Sequence, residues 1–170
     1  MSYWKRKFNF VPIVMFVFAV IITIQFFMLY PKKTIVLQRT KYDVILDYTK
    51  SKKITSMIMK YSYDPLLMCA LIKIESNYKT KAMSKTGDYG LCQLNKKFYS
   101  MYSERELLDI ETNIRLGAEH LNMCLVETDY NRVLSLAYYN AGEPKVNNYN
   151  SGKSTYEYIE KTMNEMELVK

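Results

Sequence analysis

Most of this chain alternates apolar and polar positions at helical spacing, but one stretch is apolar with no charge at all. Residues 8–30, FNFVPIVMFVFAVIITIQFFMLY, run for 23 positions interrupted only by Asn9, Thr23, Gln25 and Tyr30. As a helix rising about 1.5 Å per residue, that is roughly 34 Å, enough to cross a hydrocarbon core of about 30 Å. The pattern predicts a membrane span. A cleavable secretory signal would be shorter and would end in small residues, whereas this stretch ends MLYPKK and has no Cys near its end to accept a lipid. An uncleaved signal-anchor over 8–30 is therefore expected. Lys5, Arg6 and Lys7 face Lys32, Lys33, Arg39 and Lys41 across it, so positive charge does not fix its direction. A tail as short as residues 1–7 is easily kept in the cytoplasm, which puts residues 31–170 on the extracytoplasmic side.

Residues 31–50 are Lys-rich and read as a juxtamembrane stalk, although Val44, Ile45 and Tyr48 also fit a first helix. The folded domain is expected over 51–170. Asp64 and Pro65 form an N-cap and first-turn pair that opens a helix to about Asn77. Ser84 to Asn95 predicts a loop with a short extended piece around Gly87 and Gly90. Ser103 with Glu106, and Ser154 with Glu157, match the capping box and predict helix starts. Ile110, Ile114, Ala118, Leu121 and Leu125 recur as one apolar face over 110–126, and a further helix fits 131–140, ended by Gly142 and Pro144. The fold class expected is mainly α: several short helices with one irregular loop, preceded by a single transmembrane helix.

Composition narrows the function classes. Of 170 residues, 49% are hydrophobic and 24% charged, with 5 Gly and 4 Pro, which excludes collagen-like and disordered chains. Lys5, Arg6 and Lys7 contribute +3 of the formal +7, leaving residues 31–170 mildly basic. That charge suits an anionic envelope or a simple solvated face. Without a clustered Arg stripe or a nucleic-acid-binding motif, no nucleic-acid partner is expected.

Among residues that could carry chemistry, Glu75 stands out. Leu67, Met68, Leu71 and Ile72 precede it at offsets that place all four on its own helix face. A carboxyl at the end of such a stripe is desolvated, which raises its pKa toward the range of a general acid. Position alone leaves a second reading open, a solvent-facing Glu paired with Lys73 or Lys79.

The neighbouring strings decide between them. Glu75 and Ser76 close a helix as an E-S pair; Gly87 to Gln93 form G-x-x-G-L-x-Q; Asn113 to Gly117 form N-x-x-x-G; Ala137 to Gly142 form A-Y-N-x-G with one extra Tyr. In this order and rough spacing, residues 60–150 resemble the lytic transglycosylase family, lysozyme-like enzymes that cut bacterial cell-wall glycan. The resemblance implies a lysozyme-like domain that cleaves the β-1,4 bond between MurNAc and GlcNAc of peptidoglycan as a lyase, without a cofactor or metal. It matches Glu75 to the family's single catalytic acid and Ser84 to a serine that helps hold the N-acetyl group. Gln93 matches a glutamine of the cleft, and Tyr139 and Asn140 match a Y-N pair whose tyrosine sits beside the acid. Asn113 and Gly117 look like helix packing. Cys92 replaces the usual Met of G-L-M-Q.

Asp88 stands where the family usually has Ala. The string DYGLCQLN also resembles animal lysozymes, in which this aspartate is a second carboxylate; an Asx-turn beside Gly87 is the simpler reading. A hydrolytic muramidase using Glu75 with Asp88 therefore remains an alternative, as does a non-catalytic glycan-binding scaffold. With a membrane anchor, the family reading suggests local wall opening for an envelope-spanning assembly.

Other residue types add less. Of 16 tyrosines, Tyr89, Tyr138 and Tyr139 lie in the matching strings and are candidates for the cleft. Tyr61, Tyr63, Tyr99, Tyr102, Tyr156 and Tyr158 read as packing. His120, with only Cys124 near it on one helix face, is no zinc site and reads as a hydrogen-bonded or exposed histidine. Cys69, Cys92 and Cys124 read as buried thiols, with a Cys69–Cys124 bridge conceivable.

Overall fold

The computed structural model describes residues 39–142 and 152–169, together with Phe16, Ala19, Val20, Ile21 and Gln25. The chain divides into two units, Met1–Gln38 and Arg39–Lys170. Apart from those five helical positions, the predicted tail 1–7 and span 8–30 lie outside the described residues. Among the described residues no helix is long and apolar enough to cross a membrane.

The second unit starts with helix α1, Lys41–Thr49, entered through a capping box in which Thr40 and Asp43 bond each other's backbone N–H. Its Ile45 is completely buried, and α1 packs on α2, Lys52–Tyr61. Of the stretch 31–50, residues 31–38 lie outside the described residues, and from Arg39 on the alternative reading of a first helix holds, because Val44, Ile45 and Tyr48 pack into the core of this unit. Helix α2 was not anticipated. Ser51 caps it, and Ile54, Thr55 and Ile58 face inward.

Helix α3, Pro65–Ser76, is the centre of the domain. Asp64 accepts from the Leu67 N–H at 3.2 Å, Pro65 occupies the first turn, and Asn77 ends the helix in the left-handed region at φ 51°. The four stripe residues Leu67, Met68, Leu71 and Ile72 are completely buried, but so are Cys69 and Ala70. The helix is therefore enclosed on nearly all sides, with its polar end carrying Glu75.

A small antiparallel hairpin follows. Strands β1, Asp88–Tyr89, and β2, Leu94–Asn95, pair Asp88 with Asn95 and Tyr89 with Leu94, and Met83 bridges to Tyr89. The predicted loop and extended piece are both present. Helix α4, Glu104–Leu107, is entered through the predicted Ser103–Glu106 capping box. Helix α5, Ile110–Glu127, buries Ile114, Ala118, Leu121 and Leu125 as its pattern predicts. Helix α6, Arg132–Ala141, stops at Gly142.

Helix α7, Gly152–Leu168, packs against α3 and α6. It starts before Ser154, so the predicted Ser154–Glu157 box is not a cap. Both residues lie inside the helix, where Glu157 pairs with Lys153 at 3.8 Å and buried Thr155 donates to Asn140 Oδ1 at 3.2 Å. Contact with α6 sets where this helix sits, and local capping chemistry does not.

All three cysteines are free and buried, which removes the conceivable Cys69–Cys124 bridge. The Cys69 thiol meets the Tyr78 hydroxyl at 2.9 Å, and the two cannot be small inert fillers only: Tyr78 also donates to the Cys69 carbonyl at 2.7 Å. Cys92 packs against Gly117, where an added Cβ would come within 2.5 Å of its Sγ. Gly117 is there because hairpin and α5 approach too closely for any side chain.

Candidate active site

The hairpin wall is anchored by one buried side chain. Asn113 on α5 donates to the Tyr89 carbonyl at 2.8 Å and the Leu107 carbonyl at 2.6 Å, and its Oδ1 accepts from the Cys92 N–H at 2.8 Å. Gly90 lies directly over it at φ 77°, where a Cβ would fall 2.3 Å from Asn113 Nδ2. The G-x-x-G and N-x-x-x-G strings are thus two halves of one contact. It fixes the loop that carries Asp88 and Gln93.

Between this hairpin, the end of α3 and helices α5 and α6 lies a cleft of about 860 Å³. Glu75, Asp88, Gln93, Tyr138, Tyr139 and Asn140 all line it, so most of the sequence-predicted residues come together here. The Glu75 carboxyl opens into the cleft and is otherwise surrounded by protein. Burial pushes its pKa up, the Tyr158 hydrogen bond pulls it back, and the nearby Asp88 charge raises it again, with a result of about 7. Such a carboxyl gives up and takes back a proton near neutrality.

Tyr158, on α7, donates to Glu75 Oε1 at 2.8 Å. The neutral acid then carries its proton on Oε2. The sequence had placed Tyr158 with the packing tyrosines. It lies 83 positions from Glu75 in a helix outside all four strings, and only the packing of α7 on α3 joins them. Tyr158→Phe removes the bond that stabilises the ionised form, so the Glu75 pKa rises and its protonated form persists to higher pH. The alkaline limb of the pH–rate profile should move upward, with a loss of rate on the order of tenfold from poorer positioning of the carboxyl. An unmoved limb in a kcat/KM profile between pH 5 and 9 would show that the bond does not reach the reacting group.

Asp88 is held differently. Its Oδ2 accepts from Ser84 Oγ at 2.5 Å and Thr86 Oγ1 at 2.6 Å, and its Oδ1 from Asn95 Nδ2 at 2.7 Å. Burial alone would raise its pKa, but the bonds from Ser84, Thr86 and Asn95 outweigh it and keep the carboxyl below the usual carboxylate range. Asp88 is thus an aspartate that fixes its turn through side-chain bonds and whose carboxyl also lies in the cleft wall. Ser84 is not among the residues lining the cleft. Its hydroxyl donates to Asp88 and accepts from the Thr86 and Asp88 N–H groups at 3.2 and 3.0 Å.

Gln93 sits at φ 48° and donates to the Gly90 carbonyl at 2.9 Å, which holds its side chain along the hairpin rim. Tyr139 donates to the Cys92 carbonyl at 3.1 Å and stacks on His120, ring centres 4.6 Å apart. His120 is therefore a half-buried member of the cleft wall, its pKa lowered by burial. Asn140 is exposed at the rim. Tyr89 leaves the candidate set, because its hydroxyl donates to Glu104 at 2.8 Å, outside the lining. Tyr99, read from sequence as packing, does line the cleft.

Solved structures share this arrangement of helices. An inactive mutant of the lytic transglycosylase Slt from Pseudomonas aeruginosa matches with a TM-score of 0.62 at 20% identity over 75% of this chain. A complex of the 70 kDa soluble lytic transglycosylase with bulgecin A matches at 0.61 and 23% identity over 73%. The Escherichia coli 70 kDa soluble lytic transglycosylase matches at 0.56 and 25% identity over 73%. This chain spans about a quarter of each of those proteins, 25%, 25% and 23%. The likeness shows that the fold is the lysozyme-like one of these enzymes. The family model for the transglycosylase SLT domain matches residues 53–162, from α2 into α7 and across every wall of the cleft, and the chain belongs to that family.

Proposed function

We propose that this protein is a peptidoglycan lytic transglycosylase, held at the membrane by residues 8–30 with its cleft on the extracytoplasmic side, where it opens the wall locally. The observation that carries the reading is a single carboxyl, Glu75, with a pKa near 7 and open to a cleft. Hydrolysis in the usual style needs a second carboxylate free to attack or to activate water. Asp88 already accepts three hydrogen bonds, and Glu119, the other acid in the lining, is paired with Arg115 at 2.9 Å. One-acid chemistry fits this set of groups better than two-acid chemistry.

In that chemistry Glu75 gives its proton to the glycosidic oxygen as the bond from that oxygen to C1 breaks. The resulting carboxylate then takes the proton of the muramyl C6 hydroxyl while that oxygen bonds to C1. The product is a 1,6-anhydro ring, and the acid is restored. Tyr158 keeps the carboxyl pointed through both steps, and its bond stabilises the charge present between them. Gln93, Tyr139 and Asn140 line the path of the strand, while Ser84 acts through Asp88.

Mass spectrometry of muropeptides released by the full-length protein tests this reading. Anhydro-ended products are expected; reducing ends would replace it with the muramidase, and no release would leave a glycan-binding scaffold. Deleting residues 1–30 should abolish release in the cell while purified protein keeps its activity, because the uncharged stretch is assigned the crossing of the membrane.

A further inference from the structure

Outside the lining of the cleft, four large apolar side chains stand in solvent on three neighbouring segments. Tyr63, in the turn between α2 and α3, is 65% exposed, and Val126, near the end of α5, is 52% exposed. Tyr130, in the turn that follows α5, is 60% exposed, and Val133, at the start of α6, is 47% exposed. None of them belongs to the hydrophobic core.

Polar contacts tie these segments together. The Tyr63 N–H donates to Asn122 Oδ1 at 2.9 Å and Asn122 Nδ2 donates to the Tyr61 carbonyl at 2.8 Å, which fastens the turn to α5 one helical turn before Val126. The next residue, Asp64, accepts from Arg132 Nε at 2.6 Å, which fastens it to the first residue of α6, beside Val133. Single exposed apolar side chains are ordinary, but four on segments joined in this way make a patch, and patches mark interaction sites. Tyr130 adds an independent observation. Asp129 and Tyr130 lie at φ 50° and 59°, two consecutive left-handed residues without a glycine between α5 and α6. That backbone is unfavourable for a bulky side chain, and a ring left 60% exposed recovers little burial in return. The Tyr130 N–H donates to the Leu125 carbonyl at 2.7 Å and the Asn131 N–H to the Thr128 carbonyl at 2.9 Å, so the ring is presented to solvent on a fixed turn.

We infer that this patch docks a segment of a partner protein that presents an apolar face flanked by Lys or Arg. The charges choose the occupant. Arg132 is neutralised by Asp64, and Lys60 by Glu111 at 3.1 Å. Glu127 and Asp129, exposed on either side of buried Thr128, take part in no ion pair among the described residues. A second copy of this chain would set these acids against themselves, and an anionic lipid surface would be repelled by them, whereas a basic segment is attracted. The two tyrosines supply apolar area with a polar tip, and the two acids select the partner. The inference goes beyond glycan cleavage and does not depend on it. Asp64 lies at the other end of α3 from Glu75, about 16 Å along the axis at 1.5 Å per residue, so a docked segment leaves the carboxyl free.

The test puts the photoreactive analogue p-benzoylphenylalanine in place of Tyr130 in the full-length chain and irradiates cells of its own source. The expected result is an adduct to another protein whose cross-linked segment, sequenced by mass spectrometry, carries Lys or Arg beside apolar residues. Glu127→Lys combined with Asp129→Lys should lower its yield about tenfold. The same probe in place of Met101, which is 84% exposed and lies outside the patch, should not form it. Both acids are on the surface, so the double variant should keep the wild-type melting temperature, and a lost adduct then reports lost docking. An adduct to a second copy, to lipid or to glycan overturns the inference. So does a captured segment without basic residues, a yield indifferent to the charge reversal, or no adduct at all.

Discussion

Glu75→Gln abolishes glycan cleavage, with kcat down by at least about a thousandfold as befits loss of the general acid, and it also stabilises the protein above neutral pH. The second effect follows from the cost of keeping a carboxyl where water is scarce. Below the ordinary value of 4.5 the side chain is neutral in folded and unfolded states alike, and the site costs nothing. As pH rises through the interval from 4.5 to about 7, the unfolded chain has released this proton and the folded chain still holds it. Stability falls across that interval by about 3 kcal/mol and stays lower at higher pH. A neutral amide of the same shape, still able to accept from Tyr158, does not pass through that fall. Calorimetric melting should find the mutant level with the wild type at pH 4 and several degrees higher at pH 8. A difference independent of pH would mean that the carboxyl is not desolvated, and the assignment of Glu75 as the acid would lose its physical basis.

Asn113→Ala should cost on the order of 4 kcal/mol, read as a lowered urea midpoint with an unchanged slope. The amide carries three bonds at once, and its removal strands the buried Leu107 carbonyl and Cys92 N–H and the part-buried Tyr89 carbonyl. Each stranded group is worth about 1–3 kcal/mol. Asn113→Asp separates the roles of the two ends of the side chain. It keeps an acceptor for Cys92 but turns a carboxylate oxygen toward two carbonyls, so it should be at least as destabilising as Ala. If Asp proved harmless, the two donor contacts would not be what holds the hairpin. Activity should fall along with stability in both variants, since the hairpin carries Asp88 and Gln93 into the cleft wall.

Those two residues also show why local strings served well for some parts of the molecule and poorly for others. Glu75 was legible because its four apolar companions lie within two turns of the same helix, and helical geometry converts those offsets into a shared face. Asp64, Ser103 and Gly142 were legible as helix ends for the same reason: a cap and the N–H or carbonyl it satisfies are three or four residues apart. Ser154 with Glu157 has the same spacing and fails. Thr155 is buried beside Asn140, and the helix around them begins earlier than a cap at Ser154 allows. Tyr158 could not be singled out from 16 tyrosines, because nothing near it in sequence distinguishes it from Tyr156, which is 71% exposed.

Sequence alone determined that this chain is mainly helical, that Glu75 ends an apolar helix, and that the four strings belong together. Each of those facts is written in spacings of a few residues, where backbone geometry leaves little choice. Only the tertiary structure decided what surrounds the carboxyl: Tyr158 against its oxygen, Asp88 tied down by Ser84, Thr86 and Asn95, and His120 stacked on Tyr139. Tyr158 lies 83 positions from Glu75, and His120 and Tyr139 sit on different helices, so their approach is set by which buried faces of α3, α5, α6 and α7 pack together. The pKa of an acid depends on that enclosure, because desolvation is a property of everything around a group and no neighbour along the chain can supply it.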